Sequence, residues 1–113
     1  MAEVVRLELQ LAVGTLSVAD IEQSLSETVV NYQILSVTTG STDIALAFGA
    51  VTTADILYIY SNQQISYKLN SSATAITVDA DKPHLLYGTS VTALTYTNAS
   101  GSTATIRILL AGA

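Results

Sequence analysis

Few side chains in this sequence could carry a reaction. One histidine, His84, and no cysteine stand among nine carboxylates: Glu3, Glu8, Asp20, Glu22, Glu27, Asp43, Asp55, Asp79 and Asp81. The absence of cysteine removes thiolate catalysis, disulfides and cysteine-ligated zinc together. A serine nucleophile needs a partner base and a turn that presents it. No Gly-x-Ser-x-Gly elbow occurs, and His84 follows Pro83 in a stretch that reads as a surface loop. Asp79-Ala80-Asp81 has the spacing that opens many calcium loops, where alternate side chains converge on a hard cation. Lys82 and Pro83 follow where more acidic ligands would be needed, so this segment is expected to be a solvated turn. Glycoside hydrolysis requires two carboxylates facing each other across a cleft, and the sequence places no two that way. The expectation is a protein without catalytic residues, bound metal or cofactor.

Asn70-Ser71-Ser72 and Asn98-Ala99-Ser100 match the glycosylation acceptor pattern. The N-terminus opens with charge alternation and not with an apolar signal block, so both read as turn residues in a protein made in the cytoplasm. The six glycines are isolated and form no phosphate-binding loop. Six tyrosines, one phenylalanine and no tryptophan make tyrosine the dominant aromatic residue. Tyr58, Tyr60, Tyr67, Tyr87 and Tyr96 lie in or beside strand-like runs, where they could stack on sugar rings or fill cores and subunit interfaces with the hydroxyl at a polar edge. Tyr58 and Tyr60, two apart, share a face.

The elements that must position these residues are strands. Thr, Ser, Val, Ile and Tyr dominate, and period-two alternation recurs. Val5, Leu7, Leu9, Leu11 and Val13 alternate with Arg6, Glu8 and Gln10 in a long first strand that ends at Gly14-Thr15. Residues 16–28 fit two patterns: Ser17 and Asp20 resemble a capping box before a short helix, and the flanking segments favour another strand. Strand-like runs follow at 29–37, 44–48, 56–60, 64–70, 74–78, 91–97 and 103–110. Residues 56–60 with 64–70, and 91–97 with 103–110, read as hairpins across short polar links. The chain is expected to be a single domain over 1–113, all-β, a two-sheet antiparallel β-sandwich of about eight strands, jelly-roll-like.

Hydrophobic residues make up 50% and charged residues 12%, with mean hydropathy +0.46, which excludes intrinsic disorder. No apolar run reaches the roughly 18 residues of a membrane helix. Four basic residues against nine acidic ones, a net charge of −5, argue against a nucleic-acid partner. A domain this small buries only about two thirds of its unfolded surface, so so apolar a chain must leave apolar area outside or cover it with a partner. Self-association as a dimer or trimer is the expected outcome. The interface candidates are the long first strand at Val4, Arg6 and Glu8, together with Tyr58, Tyr60, Tyr67 and Tyr96.

The segments Ile56-Leu57-Tyr58-Ile59-Tyr60-Ser61-Asn62-Gln63-Gln64-Ile65-Ser66-Tyr67-Lys68-Leu69-Asn70 and 94–110, from Leu94-Thr95-Tyr96-Thr97-Asn98 to Ile106-Arg107-Ile108-Leu109-Leu110, resemble small virion proteins of tailed bacteriophages. These include head decoration or cement proteins with jelly-roll folds. The resemblance is one of strand-turn rhythm over the C-terminal half. It implies a non-enzymatic sandwich that sits as a dimer or trimer on the outer capsid surface and bridges major capsid subunits. Similar proteins occur near tails and fibres. The alternative from another class is a carbohydrate-binding, lectin-like sandwich whose tyrosines stack on sugars.

Overall fold

The structure, a computed structural model, describes residues 3–27 and 29–113; within residues 3–26 the described side chains are those of Arg6, Glu8, Thr15 and Leu16, and in the later strands all but that of Thr89. Alternation and β-branched content produce ten strands and no helix among the described residues: β1 (Glu3–Val13), β2 (Leu16–Glu27), β3 (Val29–Val37), β4 (Ser41–Ala45), β5 (Ala54–Ser61), β6 (Ile65–Leu69), β7 (Ile76–Val78), β8 (His84–Val91), β9 (Leu94–Asn98) and β10 (Ala104–Gly112). Residues 16–28, for which helix and strand were both open, form β2 up to Glu27.

Eight strands make two antiparallel four-stranded sheets, ordered β3-β10-β5-β8 and β4-β9-β6-β7. This interleaving is the two-Greek-key order of a jelly roll, as expected. From β3 to β10 the chain changes sheet at every step except β6 to β7, which pair directly. The hairpins expected from 56–60 with 64–70 and from 91–97 with 103–110 are therefore not formed. β5 pairs with β10 and β8, β6 with β7 and β9, and β9 with β4 and β6. Their short polar links cross between sheets, a step of about 10 Å that a tight loop spans as easily as a turn within one ladder. The run expected at 91–97 divides in the same way, Val91 closing β8 and Leu94 opening β9.

Between the sheets, Leu57, Ile59, Ile106, Ile108 and Leu110 of one meet Ile65, Tyr67, Val78 and Leu94 of the other in one buried cluster. Each such side chain removed from water contributes about 1.5–3 kcal/mol before entropy is counted. Asn98, also fully buried, closes the end where β3 passes to β4 and β9 to β10. Its Nδ2 donates to the carbonyls of Val37 and Ser102, both at 2.9 Å, and its Oδ1 accepts from the Ser100 amide and hydroxyl. At the opposite end Gly112 lies against the Thr53 carbonyl, and Ala113 exchanges backbone hydrogen bonds with Thr53. Both acceptor-pattern asparagines serve the fold: Asn70 Oδ1 accepts from the Thr92 amide and hydroxyl.

β1 and β2 form a separate two-stranded ribbon that pairs with no strand of the body. Gly14, at φ +60, takes the first position of its two-residue loop, as a II′ hairpin turn requires. The register sets Val5, Leu7, Leu9 and Leu11 opposite Leu25, Gln23, Ile21 and Ala19, and on the alternate positions Arg6, Glu8 and Gln10 opposite Ser24, Glu22 and Asp20. The ribbon thus has one apolar face and one charged face by position. A radius of gyration of 15.0 Å exceeds the roughly 13 Å of a compact chain this long, as an extended arm demands.

At the arm's root the Glu27 carboxyl is held above the usual carboxylate value, first by partial burial, then by the charge of neighbouring Asp55 and a hydrogen bond shared with it. A carboxyl raised on folding binds more protons in the native state than in the unfolded one. Its contribution is complete at acid pH and fades as pH rises from the ordinary carboxylate value through the raised one. Glu27→Gln is expected to stabilise the protein at pH 7 on the scale of a surface substitution, about 0.5 kcal/mol, and to flatten the decline in melting temperature between pH 4 and 7 measured by calorimetry.

Candidate interaction surface

The alternation in β3 runs opposite to that of an ordinary outer strand. Asn31 and Gln33 point inward, where their amide nitrogens donate to the carbonyls of Phe48 and Ala47. Tyr32 and Ile34, on the other face, are 53% and 59% exposed. Cross-strand partners continue this face over the whole sheet. Tyr32 stands beside Leu109, Leu109 beside Tyr58, and Tyr58 beside Leu85. In the adjoining rows Ile56 stands beside Tyr87, and Ile34 and Tyr60 flank Arg107. Leu85 and Tyr87 are 44% and 47% exposed, so four of the six large apolar side chains most open to solvent among the described residues share one sheet face.

The outer face of the opposite sheet is different in kind. Ser66, Lys68, Thr77, Thr95 and Thr97 occupy it, and Lys68 pairs with Asp43 at 3.2 Å. A sandwich normally turns such residues outward on both sides. Here only one side is wetted that way.

Arg107, between Ile34 and Tyr60 in the rows of the apolar face, makes no salt bridge among the described residues. Beside it the Tyr60 hydroxyl donates to Asp81 Oδ1 at 2.6 Å. That bond to a carboxylate, with a smaller part from burial, raises the phenol above its ordinary value. The neighbouring Asp79 is engaged separately, accepting from Gln64 Nε2 at 2.8 Å. The two carboxylates of the Asp-x-Asp segment, in the loop 79–83, thus accept from side chains elsewhere in the fold, Tyr60 and Gln64.

The residues singled out in the sequence divide. Tyr58 and Tyr60 share the apolar outer face. Tyr67 is buried and Tyr96 packs against the core, so both turn away from the surface on which they were expected to act. Their inner positions follow from pairing with each other in register on the inward side of β6 and β9. Arg6 and Glu8 are exposed and pair with each other at 2.9 Å. Val4 stands opposite Ser26, and its side chain lies outside the described residues. His84, expected in a surface loop, instead begins β8. Half-buried, it meets the Tyr67 ring edge-on at 6.0 Å, with Nδ1 3.4 Å from the hydroxyl, and burial raises that hydroxyl above its usual value. Sequence reasoning missed Tyr32, Ile34 and Leu85; the signal available was Asn31 and Gln33 alternating with apolar residues.

A hollow of about 220 Å³ is lined by Gln64, Ile65, Ser66, Thr77, Thr97 and Ala99, none of them titratable. Among the described residues no three of His, Asp and Glu gather closely enough to hold a metal ion. Compared with known protein families and with curated proteins, the sequence matches none.

Proposed function

We propose that this chain is a non-enzymatic structural protein of a virion, a capsid decoration or cement protein that self-associates as a dimer or trimer and bridges major capsid subunits on the outer capsid surface. The observation that carries the reading is the inverted alternation of β3, which ties the Asn31 and Gln33 amides to the carbonyls of residues 47 and 48 and turns Tyr32 and Ile34 to water. Interface cores are rich in aromatic residues and arginine and poor in other charges, and this face has that composition. The jelly roll is a fold of capsid proteins and of lectins, so the fold alone does not choose between them.

A carbohydrate-binding reading has one observation in its favour: Tyr32, Tyr58, Tyr60 and Tyr87 all lie on the same exposed face, with Arg107 and Asp81 at its end. Light scattering over a concentration series separates the two. The structural reading expects a mass two or three times 11.8 kDa. A monomer at every concentration, together with glycan-array binding that is lost on Tyr60→Ala, would replace it with the sugar-binding reading.

A further inference from the structure

We infer that the β1–β2 arm of one copy lies across the outer face of the β3-β10-β5-β8 sheet of a second copy, the two arms exchanged reciprocally. The inference rests on the self-association proposed above and names the surfaces that make it. An isolated two-stranded ribbon is marginal in water and needs its apolar face covered. No body strand pairs with the arm, and every strand of the body is already committed to one of the two sheets. Within this sheet's outer face Ile56 and Ala111 are buried, but Tyr32, Ile34, Leu85 and Tyr87 remain open, so the chain itself leaves most of the face's large side chains uncovered. Each copy therefore carries an open patch on its sheet and an arm, apolar on one face by position, that no body strand pairs with. A second copy supplies both complements in equal number, which closes the assembly as a two-fold pair.

The dimensions agree. The 11 residues of β1 span about 37 Å, and two strands side by side are about 10 Å wide. Two such faces, each with an equal patch of sheet beneath it, remove about 1,500 Å² from water, within the roughly 1,600 ± 400 Å² of stable specific interfaces. A sheet-to-sheet dimer would bring neither arm a new partner. In the exchanged arrangement the charged positions of the arm, Glu8 and Glu22 among them, stay in solvent. Leu16 at the tip, 65% exposed, gains a surface to rest on.

The chain has no cysteine, so single introduced thiols report contacts cleanly. Full-length Leu9→Cys, on the apolar face of the arm, is mixed with full-length Tyr32→Cys and treated with a short bismaleimide. The covalent heterodimer is expected at least several-fold above that from Glu8→Cys mixed with Tyr32→Cys. Predominant Tyr32→Cys homodimers, predominant Leu9→Cys homodimers, or no preference for the apolar arm position would each overturn the exchange while leaving self-association standing. A monomer by light scattering at all concentrations would overturn self-association itself. As a second readout, Tyr32→Asp with Ile34→Asp alters only exposed positions. It is expected to weaken self-association at least 100-fold with the thermal transition retained, whereas Thr77→Asp, exposed on the outer face of the other sheet, leaves it unchanged. Equal weakening by both would sink the assignment to this face.

Discussion

Asn98→Asp is expected to cost about 4 kcal/mol, the scale of an uncompensated buried charge, and to lower the melting temperature by about 15 °C. The side chain is fully buried, and its amide nitrogen is the donor to two carbonyls, those of Val37 and Ser102. A carboxylate keeps the bonds from Ser100 but sets a negative oxygen against both carbonyls. Protonation restores one donor, so the introduced carboxyl titrates above its usual range and the variant loses stability as pH rises through that value. The natural protein lacks this component. Asn98→Ala, which leaves two carbonyls unsatisfied without adding charge, is expected to lose about 2–3 kcal/mol with no such pH dependence. Denaturant melts of both variants at pH 4 and 7 check the order; an Asp variant indifferent to pH would show that water reaches the site.

Gly112→Ala is expected to cost about 3 kcal/mol. A Cβ at this position would fall 2.0 Å from the Thr53 carbonyl oxygen and 3.0 Å from Ala54 Cα, which are backbone atoms with no rotamer to escape by. Relief requires β10 to draw away from the 53–54 segment, and that breaks the exchange of hydrogen bonds between Ala113 and Thr53. Hydrogen exchange should show the loss of protection beginning at Thr53 and Ala113. Full protection and an unchanged melting temperature would mean that this end of the sheet yields at little cost.

Period two made β1, β5, β6 and β10 legible as strands and grouped Ile65, Tyr67 and Leu69, and Ala104, Ile106, Ile108 and Leu110, on one face each, but it did not say which face turns inward, and Tyr67 was placed on the wrong side. β8 escaped because Leu86 faces the core while Leu85 and Tyr87 line the apolar outer face, so a strand apolar on both sides shows no alternation. β2 was ambiguous because Val18, Ile21 and Leu25 suit a helical stripe, whereas only the register with β1 settles it as strand. Short polar links such as Ser61-Asn62-Gln63 carry the same local signal whether they turn within a sheet or cross to another. Pairing is decided by residues far away in sequence. At the surface, Tyr58 and Tyr60 were readable as a pair, but Tyr32 and Ile34 were not. Their apolar alternation points inward by default, and only the amide bonds of Asn31 and Gln33 to the 47–48 segment reverse it.

The place of β10 between β3 and β5 bears on how the chain comes to be folded. The last of the sandwich's strands to be made is a central one, and until it arrives β3 has no partner in its sheet and β5 has only β8. The body therefore cannot close until β10 has been made, and its pairings, which join residues as distant as Val29 and Gly112, place it among slow, non-local folders. The arm needs only the first 27 residues and a two-residue turn. It can form while the rest of the chain is still being made, so nascent copies on neighbouring ribosomes would present their arms to each other before either has a finished sheet to receive one.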